Sequence, residues 1–323
     1  MRMVVLDGHV LNPGDNPWTE LEQLGQLTVY ARTPEALVVE RCRDAVAIFT
    51  NKTPVTAAAL RQLPALRYIG VLATGVNVVD VAAAQALGIP VCNVVAYGPD
   101  AVAEHVFALL LELARDVGGH ARAVRAGAWC EATDWCFWNQ PLLGLNGLTL
   151  GILGFGAIGQ RVAGIARAFG MKVLVSSRTR PAALPPDVTL VTREELFAQA
   201  DALTLHCPLT DETVEIINAQ SLACMKRGAL LINTARGGLV NESDVANALL
   251  GGHLGGYGAD TLSGEPPASD NPLLAAPRVC ITPHIAWATL AARRNITRLT
   301  AQNLRAWLDG APVNVVNAPL APR

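Results

Sequence analysis

An arginine, a carboxylate and a histidine follow one another down this chain, each placed just after an apolar run. They are Arg236 in Asn233-Thr-Ala-Arg-Gly-Gly238, Glu265 in Asp260-Thr-Leu-Ser-Gly-Glu-Pro-Pro, and His284 in Thr282-Pro-His-Ile-Ala-Trp287. If the apolar runs are successive parallel strands, all three lie at carboxyl strand ends, the side on which open α/β sheets hold their ligands. That set matches the reduction of a 2-oxo acid. Hydride arriving at the carbonyl carbon leaves charge on oxygen, which a protonated imidazole can quench. A carboxylate on the other ring nitrogen would fix the ring and keep its proton available. A guanidinium would polarise the carbonyl and hold the substrate carboxylate. Taken singly, Arg236 also fits a surface ion pair, Glu265 a loop carboxylate and His284 a packed core histidine. The set and its order carry the argument.

Hydride needs a donor, and the chain supplies a place for one. Gly154-Phe-Gly156-Ala157-Ile158-Gly159 follows the apolar run Thr149 to Leu153 and opens a helical pattern of Ile158, Val162, Ile165, Ala166 and Phe169, with Gly170 as its stop. Gly154 permits the tight turn, Gly156 the approach of a pyrophosphate, and Gly159 close packing of helix on strand. The next strand, Lys172 to Ser176, leads into Ser177-Arg178-Thr179-Arg180. An NAD-selective site usually has Asp or Glu where Ser177 stands, so that its carboxylate can accept the ribose hydroxyls. A small neutral residue followed by a guanidinium instead favours a 2′-phosphate, and NADP(H) is expected in preference to NAD(H), which remains possible. Arg178 and Arg180 also fit solvated loop charges. His206, ahead of Cys207-Pro208-Leu209, is expected to line the coenzyme pocket together with Pro208.

The elements that must position these residues alternate strand and helix. Met3–Leu6, Ala45–Phe49, Tyr68–Ala73 and Val91–Val94 read as strands, separated by helical stretches near Thr19–Leu24, Ala57–Leu63 and Val81–Leu87. A second series runs through Thr149–Leu153, Lys172–Ser176, Ala202–His206, Ala229–Asn233, Gly258–Ala259 and Val279–Thr282. The fold class is therefore α/β, with two doubly wound parallel-sheet domains. A long helix is expected from Pro99 to Asp116, with Asp100 as N-cap. The helical pattern Leu290 to Leu308 has nowhere to go but back to the first domain. The expected domains are 1–98 plus 288–323 and an inserted 99–287, with a ligand cleft between them.

Composition narrows the function classes. The chain has 323 residues, 51% of them hydrophobic, and a net charge of −2, which gives no electrostatic footprint for nucleic acid or an acidic membrane. No apolar run approaches the roughly 20 residues that span a bilayer. The start (MRMVVLDG) enters a strand directly, so neither a signal nor a transit peptide is expected. Seven cysteines without metal-ligand spacing are expected to be reduced core thiols in the cytoplasm. No spacing of histidines and carboxylates points to a metal. His105, His120 and His253 have no partners recognisable from sequence, and His9 ends the first strand.

Over essentially its whole length the chain resembles the D-isomer-specific 2-hydroxyacid dehydrogenases, most of all those known as glycerate dehydrogenases or hydroxypyruvate (glyoxylate) reductases. The resemblance rests on LATGVNVVD (Leu72–Asp80), VAEHVFALLL (Val102–Leu111), LGILGFGAIG, CFWNQPL (Cys136–Leu142), HCPL, MKRGALLINTARGGLV (Met225–Val240), ADTLSGEPP and TPHIAWAT. It implies a flavodoxin-like substrate domain and a Rossmann coenzyme domain. Arg236, Glu265 and His284 become the catalytic trio, with His284 as acid/base. The N–H groups of Thr74, Gly75 and Val76 would surround the substrate carboxylate. Asp260 would contact the nicotinamide carboxamide, and Thr234 and Ala235 would line that end of the pocket. Trp135, Phe137 and Trp138 fall in the loop by which relatives dimerise, so a homodimer is expected. An aromatic there either reaches the partner's active site or is simply buried in the interface.

Two positions depart from the family besides Ser177: Ala101 where Ser is frequent, and Asn241 where Asp is frequent. With the sequence stopping at Arg323, a phosphoglycerate dehydrogenase of the long form is not expected. The expected activity is NADPH-dependent reduction of glyoxylate and hydroxypyruvate to glycolate and D-glycerate. The alternatives are another small or branched 2-oxo acid, or a nucleotide-sensing binding protein like the family's corepressors.

Overall fold

A computed structural model of the chain describes residues 1–181 and 183–317. Ala182, in the stretch Arg180–Pro186 (RPAALPP) whose sequence reads as a short loop, and the last six residues of the expected first domain lie outside the described residues. The chain forms two compact units: Met1–Gly98 together with the chain from Ala288 onward, and Pro99–Trp287.

The first unit is built on five strands, β1 (Arg2–Val5), β2 (Gln26–Val29), β3 (Ala47–Thr50), β4 (Tyr68–Val71) and β5 (Val91–Cys92). They pair in parallel in the order β2-β1-β3-β4-β5, the flavodoxin-like order. β3 and β4 are buried at every position, as expected for strands covered on both faces. The edge strand β2, absent from the sequence reading, is half exposed and carries no apolar run to announce it.

Helix Leu290–Leu308 closes this unit. Asn303 Nδ2 donates to Asn93 O at 2.8 Å, and Trp307 packs on Tyr68 with ring centroids 5.2 Å apart. Arg293 grips Asp15 with both terminal nitrogens, at 2.6 and 2.7 Å, and also donates to Leu11 O and Ala288 O. Asn93 in turn donates to Thr74 O at 2.8 Å, while the Thr74 hydroxyl donates to Val94 O at 2.9 Å. The loop after β4 is thereby fixed from two sides.

The second unit has seven parallel strands: β6 (Thr149–Leu153), β7 (Lys172–Ser176), β8 (Val188–Leu190), β9 (Ala202–Leu205), β10 (Leu230–Asn233), β11 (Gly256–Ala259) and β12 (Val279–Ile281). Their order, β12-β11-β10-β9-β6-β7-β8, is the Rossmann arrangement extended by one strand, and the order reverses between β6 and β9. β8 is a second short edge strand that the sequence pattern did not reveal.

Helix Pro99–Arg115 buries Val102, Val106, Leu109, Leu110 and Leu113 in this unit. The glycines of β11 make that possible, because a Cβ on Gly258 would sit 3.0 Å from Leu109 Cβ and 2.8 Å from Ile232 Cδ1. Pro99 is itself the first helical residue, where its missing N–H costs nothing, so Asp100 lies in the first turn and is not the N-cap. The helix stops at Arg115, since Asp116 turns left-handed (φ 49°) before a further helix, Val117–Arg125.

All seven cysteines are free. Cys42 and Cys92 are buried, and Cys207 and Cys280 pack partly buried against the core of the second unit; the expectation of core thiols is corrected for Cys130, Cys136 and Cys224. Among the described residues, no helix is long and apolar enough to cross a membrane.

Candidate active site

The glycine turn joins β6 to helix Ala157–Ala168 at the point where the strand order reverses. Gly154 has φ +96°, and a Cβ there would lie 2.6 Å from the backbone of His206, so both conformation and crowding require glycine. A Cβ on Gly159 would meet Gly154 O at 2.3 Å, which ties the helix to the strand end. Gly156 faces open space. It is the helix N-cap, yet no side chain caps the helix, and among the described residues the N–H groups of Phe155 to Ile158 donate to nothing. An uncapped N-terminus with free N–H groups fits a pyrophosphate.

A cavity of about 530 Å³ opens from this turn. Gly154, Gly156, Ser177, Arg178, Thr179, His206 and Pro208, all singled out in the sequence, line it. Ala157, Ile158 and Gly159 form the first turn of the adjoining helix. The structure adds Glu212, which the sequence reading missed. Its carboxylate lies 3.9 Å from Arg178 Nη1, with both side chains largely exposed. The imidazole of His206 accepts from or donates to Thr204 Oγ1 at 2.9 Å, and desolvation pushes its pKa from 6.5 down to about 3, so the ring lines the cavity as a neutral group.

Arg236, Glu265 and His284 follow β10, β11 and β12, three neighbouring strands. The sheet spacing of just under 5 Å per strand therefore gathers them at one edge of the unit. Glu265 and His284 meet: Nδ1 of the ring is 2.6 Å from Oε2, and Leu262 N donates to Oε1 at 3.0 Å. The ring is 29% exposed, and among the described residues its Nε2 has no hydrogen-bond partner.

Arg236 is exposed and donates to its own neighbour, Ala235 O, at 2.6 Å. Among the described residues, no hydrogen bond or ion pair joins it to Glu265 or His284. Its turn is shaped by buried Asn233, which donates to Arg236 O and accepts from Ala235 N. Beside it the Thr234 hydroxyl oxygen is buried without a partner, an orphaned polar group at the strand end that fits a bound polar ligand.

His284 is held in a left-handed conformation (φ 56°), a strain of about 1–3 kcal/mol for a residue with a Cβ. Asp260 is what holds it. Oδ1 accepts from Thr282 Oγ1 at 2.6 Å and Ile285 N at 2.8 Å, and Oδ2 accepts from Ala286 N at 2.8 Å. The Asp260 side chain is only 1% exposed. The carboxylate for which the resemblance implies a contact with the nicotinamide carboxamide thus also ties together the turn around His284.

His105, for which no partner is recognisable from sequence, has one in the fold. Its Nε2 lies 2.8 Å from Thr282 Oγ1 and 3.6 Å from Asp260 Oδ1. His120 and His253 likewise bond to Asp116 O and Leu222 O. Asn241, the departure from Asp, caps helix Glu242–Leu250 by accepting from Asp244 N. In the first unit, the N–H groups of Thr74, Gly75 and Val76 donate to nothing among the described residues.

A glycine turn with free N–H groups, a strand-end pair of histidine and carboxylate, and a polar lining fit a dinucleotide-dependent oxidoreductase. Residues 107–286 match the family described as "D-isomer specific 2-hydroxyacid dehydrogenase, NAD binding domain". The chain is 45% identical over 321 residues to a hydroxypyruvate reductase of Blautia hydrogenotrophica, covering 98% of this chain and all of that one. It is 43% identical over 288 residues to a glycerate dehydrogenase of Methylorubrum extorquens, covering 88% and 90%. The crystal structure of a Thermus thermophilus protein superposes with a TM-score of 0.86 at 37% identity, covering 98% of this chain and all of that chain. This chain belongs to the D-isomer specific 2-hydroxyacid dehydrogenase family. It is an oxidoreductase that uses a nicotinamide dinucleotide and acts on small 2-hydroxy or 2-oxo acids.

Proposed function

We propose that this protein reduces hydroxypyruvate and glyoxylate to D-glycerate and glycolate, with NADPH preferred over NADH. The observation that carries the reading is His284, its Nδ1 against the Glu265 carboxylate at 2.6 Å and its Nε2 free. The names of the relatives that match over nearly the whole chain supply the substrate class. When bound, the nicotinamide supplies a hydride to the substrate's carbonyl carbon. His284 Nε2 delivers the proton to the carbonyl oxygen as the C=O bond becomes C–O, so the alcohol leaves neutral. Glu265 keeps the Nδ1 proton in place and stabilises the positive ring. Arg236 turns from Ala235 O toward the substrate oxygens. In the first unit, the free N–H groups of Thr74, Gly75 and Val76 are suited to receive a carboxylate. The Thr234 hydroxyl and the Ala235 turn line the nicotinamide end.

The coenzyme preference rests on Ser177 and Arg178 lining the cavity with no acid at the strand end. A homodimer is proposed on the loop carrying Trp135 and Trp138, whose indoles are 86% and 62% exposed. Uncovered aromatic area of that size favours burial against a second copy. Seven unpaired thiols fit a cytoplasmic setting.

Initial rates with hydroxypyruvate and glyoxylate, each with NADPH and NADH, test the assignment through nicotinamide absorbance. Turnover with lower KM for NADPH supports it. Preference for NADH removes the coenzyme reading and leaves the reductase. Silence with both acids removes the substrate assignment. Sedimentation equilibrium tests the dimer.

A further inference from the structure

We propose that His105 is a positioning residue for the active site: through Thr282 and Asp260 it holds the strained loop on which His284 sits. The inference rests on the reading of His284 as proton donor, and on contacts contained wholly in the second unit.

The direction of the hydrogen bonds fixes the chain of command. The Asp260 carboxylate only accepts, and the one proton of the Thr282 hydroxyl goes to its Oδ1 at 2.6 Å. The same hydroxyl lies 2.8 Å from His105 Nε2, so it must accept there, and His105 must carry its proton on Nε2. His105 Nε2 also lies 3.6 Å from Asp260 Oδ1. A donor on helix Pro99–Arg115 thus orients the hydroxyl and, with it, the carboxylate. That carboxylate receives Ile285 N and Ala286 N, the two amides after His284, and the hydroxyl two residues before it. His284 N donates back to Thr282 O at 2.9 Å, closing a tight turn around Pro283. Left-handed His284 persists because both flanks of the turn are tied to one buried carboxylate. With no N–H from His105, the hydroxyl can rotate toward Ala259 O, 3.4 Å away, and Asp260 loses its third donor. The turn can then relax, carrying the imidazole away from its aim at substrate while leaving the glycine turn and the coenzyme cavity untouched.

The test compares His105→Ala with His105→Gln, whose Nε2–H donor stands where the imidazole nitrogen does. Amide hydrogen exchange at Ile285 and Ala286, read by mass spectrometry on the coenzyme-free protein, reports the clamp without any turnover. The Ala variant is expected to exchange these amides about tenfold faster and to lose about tenfold in kcat, the cost of one weakened hydrogen bond. The Kd for NADPH, read from nicotinamide fluorescence, is expected to hold. The Gln variant should restore both exchange and kcat.

Unchanged exchange in the Ala variant overturns the proposal, as does a Gln variant as impaired as Ala, or a Kd that rises in step with the loss of kcat. Thr282→Val breaks the same link from the other side and should match the Ala variant, with the double variant no worse than either single one; additive losses overturn the shared pathway. It also answers if the Ala variant fails to fold. His284→Asn, run beside them, tests the reading of His284 on its own. Retained turnover there sinks the proton-donor role, while the exchange result still decides whether His105 holds the loop.

Discussion

His284 Nδ1 and Glu265 Oε2 stand 2.6 Å apart, and the second oxygen of Glu265 is fixed by Leu262 N at 3.0 Å. The carboxylate is therefore oriented before it meets the ring, and the ring before it meets a substrate. Two substitutions separate these duties. His284→Asn removes the imidazole proposed as proton donor and is expected to lower kcat by about 10³-fold. Glu265→Gln keeps the length of the side chain but offers either an N–H or an uncharged oxygen to Nδ1. It should lower kcat by about 10²-fold while leaving the Kd for NADPH within error. Stopped-flow transients and coenzyme titrations read both; a Glu265→Gln enzyme with wild-type kcat would remove the carboxylate from the mechanism.

Arg178 lies on the rim of the coenzyme cavity with Glu212 3.9 Å away. A 2′-phosphate bound to the guanidinium would gain a charge-assisted pair and meet the nearby carboxylate as a like charge. Arg178→Ala should raise the KM for NADPH about 10- to 100-fold, the worth of one charge-assisted contact, and move that for NADH little. Glu212→Gln should act in the opposite direction, lowering the KM for NADPH severalfold, most clearly at low salt. Equal effects of Arg178→Ala on the two coenzymes would remove the 2′-phosphate contact.

His206 gives the fold an acid-sensitive element. Desolvation holds its pKa near 3 in the folded chain against 6.5 in an exposed one. Between those values the unfolded chain binds a proton that the folded chain does not, so stability falls as pH drops from about 6.5 toward 3. At pH 5 the full linkage would be about 2 kcal/mol, and roughly 1 kcal/mol is expected because the ring is partly exposed. His206→Gln cannot titrate and should lose that share of the acid sensitivity. Urea unfolding of both proteins at pH 7.5 and pH 5 measures it. If the two lose the same stability on acidification, His206 is not the cause.

The glycine turn, the strand ends and the doubly wound order were legible because buried parallel strands are apolar runs and the turn demands glycine at fixed offsets. The edges were not. β2 and β8 are short and half exposed, and neither has the apolar density of a central strand. Boundaries also moved where a backbone detail decided them, as when Pro99 took the first helical position from Asp100. In the site, residues carried by a recognisable motif could be named from sequence, while residues that only the fold brings to them could not. Glu212 reaches the coenzyme cavity from the loop after β9. His105 meets Thr282 across 177 positions of chain, which no local spacing records. The motif around Asp260 marks its place but not the three donors that its carboxylate accepts from, since these too are set by the fold.

Gly237 and Gly238 adjoin Arg236 and look equivalent in sequence, but the structure gives them different tasks. A Cβ on Gly237 would lie 1.9 Å from the carbonyl carbon of Leu262 and 2.3 Å from Ser263 N. Both are rigid backbone, and Leu262 N is the group that orients Glu265. A Cβ on Gly238 would meet only the Leu209 side chain, at 3.0 Å, which can turn aside. Gly237→Ala must therefore push the Glu265 loop away from the Arg236 turn, costing about 1–3 kcal/mol in overpacking and separating Glu265 from His284. The expected result is a drop in kcat of at least about tenfold with a lowered Tm, while Gly238→Ala stays near wild type in both. Parallel thermal melts and rate measurements on the two variants decide it. Equal damage at both positions would mean that the whole turn after β10, and not its contact with Leu262, sets the geometry of the site.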